Sequence, residues 1–163
     1  MGRDPPSDPK GEGHNTAVTA FLDTNVLVRH FTGDPPELAA RATRFLAEGD
    51  ELLVPDLIVA EVVYVLESFY EVGRVEVAEI IRSLVAFPAI QVIDMELVLR
   101  TVELYEIDRL DFAEAYLVAS AERSGINEVI SFDRSIDRVP TVRRVEPPPL
   151  SNGPPSDPAN SPA

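Results

Sequence analysis

Short apolar runs alternate with longer segments of helical periodicity through the middle of the chain. The short runs have the length and composition of buried strands, and the longer segments have helical length and composition. Strands that alternate with helices are joined by right-handed crossovers, so this order predicts an α/β fold with a parallel sheet. Strands are predicted at 17–22, 51–55, 90–94, 128–132 and 141–146, and helices at 25–31, 34–47, 56–69, 75–87, 96–106 and 111–123.

Proline is concentrated at the two ends of the 163-residue chain, where ten of its fifteen prolines lie among Gly, Ser, Asn and Asp. Such composition is typical of disordered segments. We therefore expect tails at 1–16 and 147–163 around one folded domain at 17–146, a length that suits a single core. The first sixteen residues lack the apolar stretch of a secretory signal, and no apolar run is long enough to cross a bilayer, which favours a cytoplasmic protein.

Acidic residues dominate the charge, with 28 Asp and Glu against 14 Lys and Arg and a formal net charge of −14. This balance argues against nucleic-acid binding, unless part of the negative charge serves to bind metal ions. The chain has no cysteine, and its two histidines are His14 and His30. Thiolate and multi-histidine sites are therefore excluded, and oxygen ligands for a hard cation remain the accessible metal chemistry.

Two aspartates follow directly on predicted strands. Asp23 ends the first apolar run and Asp133 follows the run EVISF. Because ligands of parallel α/β sheets collect outside the carboxyl ends of the strands, both carboxylates are candidates for one site. For Asp23 an alternative is helix capping, since the sequence Asp23-Thr24-Asn25 also begins a predicted helix.

Glu61 lies in the apolar segment LIVAEVVYVLESF, which leaves little room for a solvated face. A buried carboxylate is costly unless it is paired or coordinates a metal, so we expect Glu61 to be a ligand. The alternative is a narrow exposed stripe that places Glu61 near Tyr64 or Glu67 without a function.

Asp111 and Glu114 are three residues apart at the start of a predicted helix, so their carboxylates lie on one face. Two explanations compete for these neighbouring like charges. They either stabilise the helix N-terminus or share a bound cation. Asp137, in contrast, is interpreted as a surface residue paired with Arg134 or Arg138.

Four segments of the chain, FLDTNVLVRHF, LIVAEVVYVL, LDFAEAYLVASAERSG and VISFDRSID, together resemble the PIN-domain ribonucleases, including the VapC-like toxin subunits of type II toxin–antitoxin pairs. The resemblance spans about 17–145. It implies a three-layer α/β/α fold with a central, mainly parallel sheet of four to five strands. It also implies RNA phosphodiester hydrolysis with Mg²⁺ or Mn²⁺, a homodimer, and inhibition by an antitoxin protein.

Carried over to this chain, the resemblance places Asp23 and Glu61 at the first two acidic positions and Asp133 at the last. The third position departs from the family pattern, because Glu114 stands where many relatives have an aspartate and Asp111 lies one turn earlier. Either carboxylate is then a candidate catalytic and metal-binding group.

The same resemblance assigns substrate positioning to three polar residues, Thr24, Asn25 and Ser131. Since the chain is acidic, the grip on RNA must come from local arginines. The candidates are Arg29, Arg41, Arg44 and Arg109.

Two other functions are compatible with parts of the pattern. A phosphorylated aspartate would suit Asp23, but such sites need a lysine from a later strand, and the chain's lysine is Lys10 in the tail. A catalytically silent PIN-like binding module is the second alternative, and the departure at Glu114 keeps it open.

Overall fold

The computed structural model describes residues 20–49 and 51–150. Within these ranges the chain forms two compact units, one up to Val98 and the other from Leu99 onwards. The predicted tail at 1–16 and residues 151–163 of the second tail lie outside the described residues. Residues 147–150 form neither helix nor strand. None of the described helices is long and apolar enough to cross a membrane.

The first unit is built on three parallel strands in the order β1-β2-β3. They are β1 (Ala20–Phe21), β2 (Leu52–Val54) and β3 (Ile90–Val92). The central strand is the most buried, since Leu52 and Val54 are almost inaccessible to solvent. A strand flanked on both sides needs apolar side chains on both faces, and the run ELLVP supplies them.

Four helices of the first unit connect and cover these strands. They are α1 (Thr24–Thr32), α2 (Pro36–Glu48), α3 (Asp56–Ser68) and α4 (Arg74–Val85). Helix α1 packs on α2 and α3, α3 packs on α4, and α4 packs on β3. Their buried side chains include Leu27, Leu46, Val62 and Ile81. Helix α2 begins with proline at its first position, as the Asp-Pro-Pro sequence predicts.

The second unit contains helices and a pair of parallel strands. Helix α5 (Met95–Ile107) continues into it, followed by α6 (Phe112–Ser124), β4 (Glu128–Ile130) and β5 (Arg143–Val145). The two strands pair with Val129 opposite Arg144. About a dozen residues separate them, which is the length that a parallel connection needs.

The predicted α/β class with parallel strands is confirmed, and each described strand and helix corresponds to a predicted one within a few residues. The sheet of the first unit contains three described strands, fewer than the four to five expected, because β4 and β5 pair with each other in the second unit. The sequence analysis did not predict the 3₁₀-helix Arg134–Arg138, which occupies part of the connection between them.

Helix α1 ends at Gly33, whose backbone has a φ of +73°. Its N–H donates to the Arg29 carbonyl at 2.9 Å. We predict that Gly33→Ala lowers the free energy of unfolding by about 1 kcal/mol, because a Cβ disfavours this left-handed conformation. Urea unfolding measures the change. Gly33→Asn is the matched control, and its loss should be smaller because asparagine tolerates positive φ. Equal losses would contradict the explanation.

In the second unit, Arg100 joins α5 to α6 through a bidentate contact with Glu122. Its Nε and Nη2 donate to the two carboxylate oxygens at 2.7 and 2.9 Å. Nη1 also donates to Glu103 at 2.8 Å. The Arg100 guanidinium holds the pKa of Glu122 below its ordinary value. A depressed folded pKa contributes stability above the ordinary pKa, and this contribution is lost as the pH falls through the folded value.

We predict that Glu122→Gln destabilises the protein by about 1–2 kcal/mol at neutral pH, because it removes a charge-assisted contact that is mostly shielded from solvent. The difference from the unsubstituted protein should shrink below about pH 4, where that protein loses the same contact. Thermal unfolding at several pH values measures it. Glu103→Gln, which changes a more exposed partner of Arg100, should have a smaller effect. A loss that is independent of pH would contradict this assignment.

Candidate active site

Asp23 stands between β1 and α1, as the sequence predicts. Its backbone is extended, with φ −92° and ψ 152°, and its side chain caps α1. Oδ2 accepts from the Asn25 backbone N–H at 3.4 Å and from Asn25 Nδ2 at 3.1 Å. The carboxylate is exposed. Asp23 therefore caps α1, as the alternative interpretation predicted. Its carboxylate also faces solvent.

Glu61 is exposed, so the expectation that it is buried is wrong. Leu57, Glu61, Tyr64 and Ser68 follow one another at intervals of three or four and form an exposed stripe along α3. The apolar residues at two of these positions conceal the stripe in the sequence. The cost of burial therefore gives no reason to assign Glu61 a metal.

Thr24 connects this glutamate to the segment that follows β1. The Thr24 side chain is 5% exposed, and its hydroxyl donates to Glu61 Oε2 at 2.5 Å. Since Asp23 precedes Thr24 directly, the hydrogen bond holds Glu61 beside the loop that carries Asp23. We refer to Asp23, Thr24, Asn25 and Glu61 as the first cluster.

Asp111 and Glu114 form a capping box at the start of α6. The Asp111 side chain accepts from the Glu114 backbone N–H, and the Asp111 N–H donates to Glu114 Oε2 at 3.3 Å. The prediction that these two acids stabilise the helix N-terminus is thus confirmed, since both side chains accept from backbone N–H groups there. It does not exclude a second role, because the partly buried Glu114 carboxylate has further partners.

Those partners come from the segment after β4. Ser135 Oγ donates to Glu114 Oε2 at 2.8 Å, and the Ser135 backbone N–H donates to Asp133 Oδ1 at 2.7 Å. The Asp133 N–H in turn donates to Ser131 Oγ at 2.9 Å. We refer to Glu114, Ser131, Asp133 and Ser135 as the second cluster. The sequence analysis missed Ser135, although an aspartate side chain commonly accepts from the backbone N–H two residues later.

The two acids of the second cluster shift each other's protonation. Burial raises the pKa of Glu114, and a hydrogen bond with Asp133 raises it further. The Ser135 N–H and the contact with Glu114 lower the pKa of Asp133. The pair therefore holds a proton on Glu114 more readily than on Asp133, as expected for two carboxyls that share a hydrogen bond.

Asp137 and His30 contact partners that the sequence analysis did not predict. Asp137 forms a bidentate contact with Arg144, at 3.0 and 3.1 Å, and not with Arg134 or Arg138 as expected. The reason is that β5 brings Arg144 alongside the 3₁₀-helix. His30 joins α1 to α2 through a 2.9 Å contact with Thr43 Oγ1. His14 lies outside the described residues.

The donors of both clusters suit a hard divalent cation by type, because they are carboxylates, hydroxyls and an amide. Two neighbouring carboxyls such as Glu114 and Asp133 repel each other when both are ionised, and a bound cation can neutralise that negative charge. Within 20–49 and 51–150, no group of three or more Asp, Glu or His side chains lies close enough together to hold a metal ion.

Residues 20–142 match the family model described as the PIN domain. The chain belongs to the PIN domain family. A VapC ribonuclease from Aquifex aeolicus (strain VF5) is 27% identical over 123 residues, a match that covers 73% of this chain and 90% of that protein. The resemblance found in the sequence is thus confirmed, and all five candidate carboxylates lie inside the matched PIN domain.

We predict opposite shifts of the Glu114 pKa in two variants of the metal-free PIN domain. Asp133→Asn should lower it, because a neighbouring negative charge is removed. Ser135→Ala should raise it, because the carboxylate loses a hydrogen-bond donor. Carboxyl-detected NMR titration of the unsubstituted protein and of each variant measures both shifts. Shifts of the same sign would contradict the described contacts.

Proposed function

We propose that the chain is a metal-dependent endoribonuclease that hydrolyses RNA phosphodiester bonds and acts as the toxin of a type II toxin–antitoxin pair. Membership of the PIN domain family and the relative named VapC ribonuclease support this function. The structural observation that carries it is the hydrogen bond from Thr24 to Glu61. It holds a second carboxylate close in the fold to the solvent-facing Asp23, which directly precedes Thr24 in the chain.

The proposed metal ligands are Asp23, Glu61, Asp111, Glu114 and Asp133, and the proposed ion is Mg²⁺ or Mn²⁺. Such an ion, when bound, supplies Lewis-acid activation of a phosphate and a water of lowered pKa. In the third acidic position we favour Glu114 over Asp111. Glu114 lies in contact with the segment of Asp133, whereas the described role of Asp111 is to cap α6.

The neighbouring polar residues would keep these carboxylates in fixed orientations. Asn25 donates to Asp23 and Thr24 donates to Glu61, so each acid of the first cluster has a donor from α1. Ser135 donates to Glu114, and Ser131 accepts from the Asp133 backbone. Fixed ligands lower the reorganisation needed when a phosphodiester binds, which is the usual role of such supporting contacts.

A histidine base is not part of the proposal. His30 is engaged with Thr43, and burial lowers its pKa. Its ring lies 6.2 Å from the ring of Phe87, which follows α4 in the chain. We therefore assign His30 to packing in the first unit.

The remaining parts of the proposal concern partners. We propose that a cognate antitoxin protein inhibits the chain, that two copies form a homodimer, and that the protein acts in the cytoplasm. These parts rest on the family and on the name of the relative.

The decisive measurement is cleavage of a mixed RNA pool by the purified full chain after EDTA treatment and addition of Mg²⁺ or Mn²⁺. We predict that Asp23→Asn lowers the cleavage rate roughly a hundredfold or more, because loss of a metal ligand removes several kcal/mol of transition-state stabilisation. Glu79→Gln is the matched control. It makes the same charge change at an exposed position of α4 and should leave the rate unchanged.

Equal cleavage by the unsubstituted protein and Asp23→Asn would remove the nuclease assignment from this site. Cleavage that persists in EDTA would refute the metal dependence. No cleavage by either protein would favour a silent binding module, an alternative that the glutamate at the third acidic position keeps open.

A further inference from the structure

A groove of about 600 Å³ runs between α1 and α2 in the first unit. Its lining is mostly apolar and includes three arginines, one from α1 and two from α2. Arg41 and Arg44 are three residues apart, so their side chains lie on the same face of α2. The lining residues are Asn25, Val26, Arg29, Leu38, Arg41, Ala42, Arg44, Phe45 and Glu48.

The guanidinium groups of Arg29, Arg41 and Arg44 form no salt bridge with any residue in the part of the chain that the structure describes. Arg29 donates to a backbone carbonyl, that of Asp34, at 3.2 Å, which leaves its charge uncompensated. Elsewhere, Arg100 and Arg144 each contact two carboxylates. Other described arginines also lack ion pairs, but these three line one groove, in a chain with twice as many acids as bases.

The charge of the groove indicates an anionic ligand. The lining contains three arginines and one acidic residue, Glu48, so the groove is positive on a protein whose net charge is −14. Clefts lined by one sign of charge attract ligands of the opposite sign. A polyanion with regularly spaced charges would use all three arginines together.

The apolar lining residues indicate which kind of polyanion fits the groove. Phe45 is 51% exposed and lies one residue from Arg44, and Leu38 is 36% exposed on the same helix. An exposed aromatic ring among arginines is the arrangement with which proteins bind single-stranded nucleic acids, whose bases stack while their phosphates are neutralised.

We propose that this groove binds a single-stranded RNA segment next to the scissile phosphate, with Arg29, Arg41 and Arg44 on the backbone and Phe45 against a base. The proposal rests on the ribonuclease function proposed above. Asn25 lines the groove and donates to Asp23, so a strand in the groove leads to the first cluster. Arg109, the fourth arginine candidate from the sequence, belongs to the second unit and does not line it.

The test is fluorescence anisotropy with a labelled single-stranded RNA of about ten nucleotides, a length within the usual site sizes. The full chain carries Asp23→Asn to suppress cleavage. Adding Arg41→Gln and Arg44→Gln together should weaken binding about tenfold and reduce the salt slope by about 1.4, since each phosphate contact on a single strand contributes about 0.7. Arg143→Gln, outside the groove and on an exposed side chain, is the matched control and should leave both quantities unchanged.

A second variant tests stacking separately from charge. Phe45→Leu should weaken binding of the RNA at least about fivefold but not binding of an abasic strand of the same length, because only the RNA has bases to stack. Thermal unfolding should show the same stability for all groove variants, whose substituted side chains are exposed.

Two results would overturn the proposal. One is equal RNA affinity of the double arginine variant and Arg143→Gln. The other is competition by polyglutamate as effective as that by RNA at equal charge, which would indicate an acidic protein surface as the ligand. Normal RNA cleavage by the double variant with Asp23 intact, together with unchanged binding, would show that the groove does not bind RNA. The proposed ribonuclease function would still hold. If the groove arginines are needed for RNA binding but the unsubstituted chain does not cleave RNA, the groove proposal would hold and the proposed ribonuclease function would be refuted.

Discussion

The hydrogen bond from the Thr24 hydroxyl to the Glu61 carboxylate joins the first turn of α1 to the middle of α3. Thr24 is buried and Glu61 is exposed, so the contact ties a solvent-facing acid to a fixed point in the core of the first unit. The position of Thr24 itself depends on β1, because Asp23 follows the strand and caps the helix. The first cluster therefore has its geometry fixed by the meeting of one strand and two helices.

In the second cluster, two carboxyls lie close together and repel each other when both are ionised. Glu114 is held by the capping box of α6 and by Ser135, while Asp133 is held by backbone and hydroxyl groups of its own turn. Burial and the neighbouring acid raise the pKa of Glu114, so this carboxyl takes up a proton more readily as the pH falls, and the proton relieves the repulsion. A cation would relieve the same repulsion without the proton, which gives a physical reason to regard the capping and ligand roles of Glu114 as compatible.

Charge is distributed unevenly in the first unit. The net charge of the chain gives a poor indication of the charge of the α1–α2 groove, because Arg29, Arg41 and Arg44 line it without an ion pair to any residue within 20–49 and 51–150. Carboxylates at one end of α1 and guanidinium groups along the groove would suit a substrate that is both cleaved at a metal and held by its phosphates.

The sequence by itself determined the alternation of strands and helices, the α/β class, and the positions of Asp23 and Asp133 after strands. These features follow from local periodicity and from residue preferences at element ends, which neighbouring residues carry. The four motifs also sufficed to recognise the PIN domain family. Tertiary structure alone decided the exposure of Glu61, the role of Ser135, the pairing of Asp137 with Arg144, and the common groove of Arg29, Arg41 and Arg44. The exposure of Glu61 was hidden because two exposed positions of α3 carry apolar side chains. The other three features depend on contacts between different elements, which local periodicity does not encode.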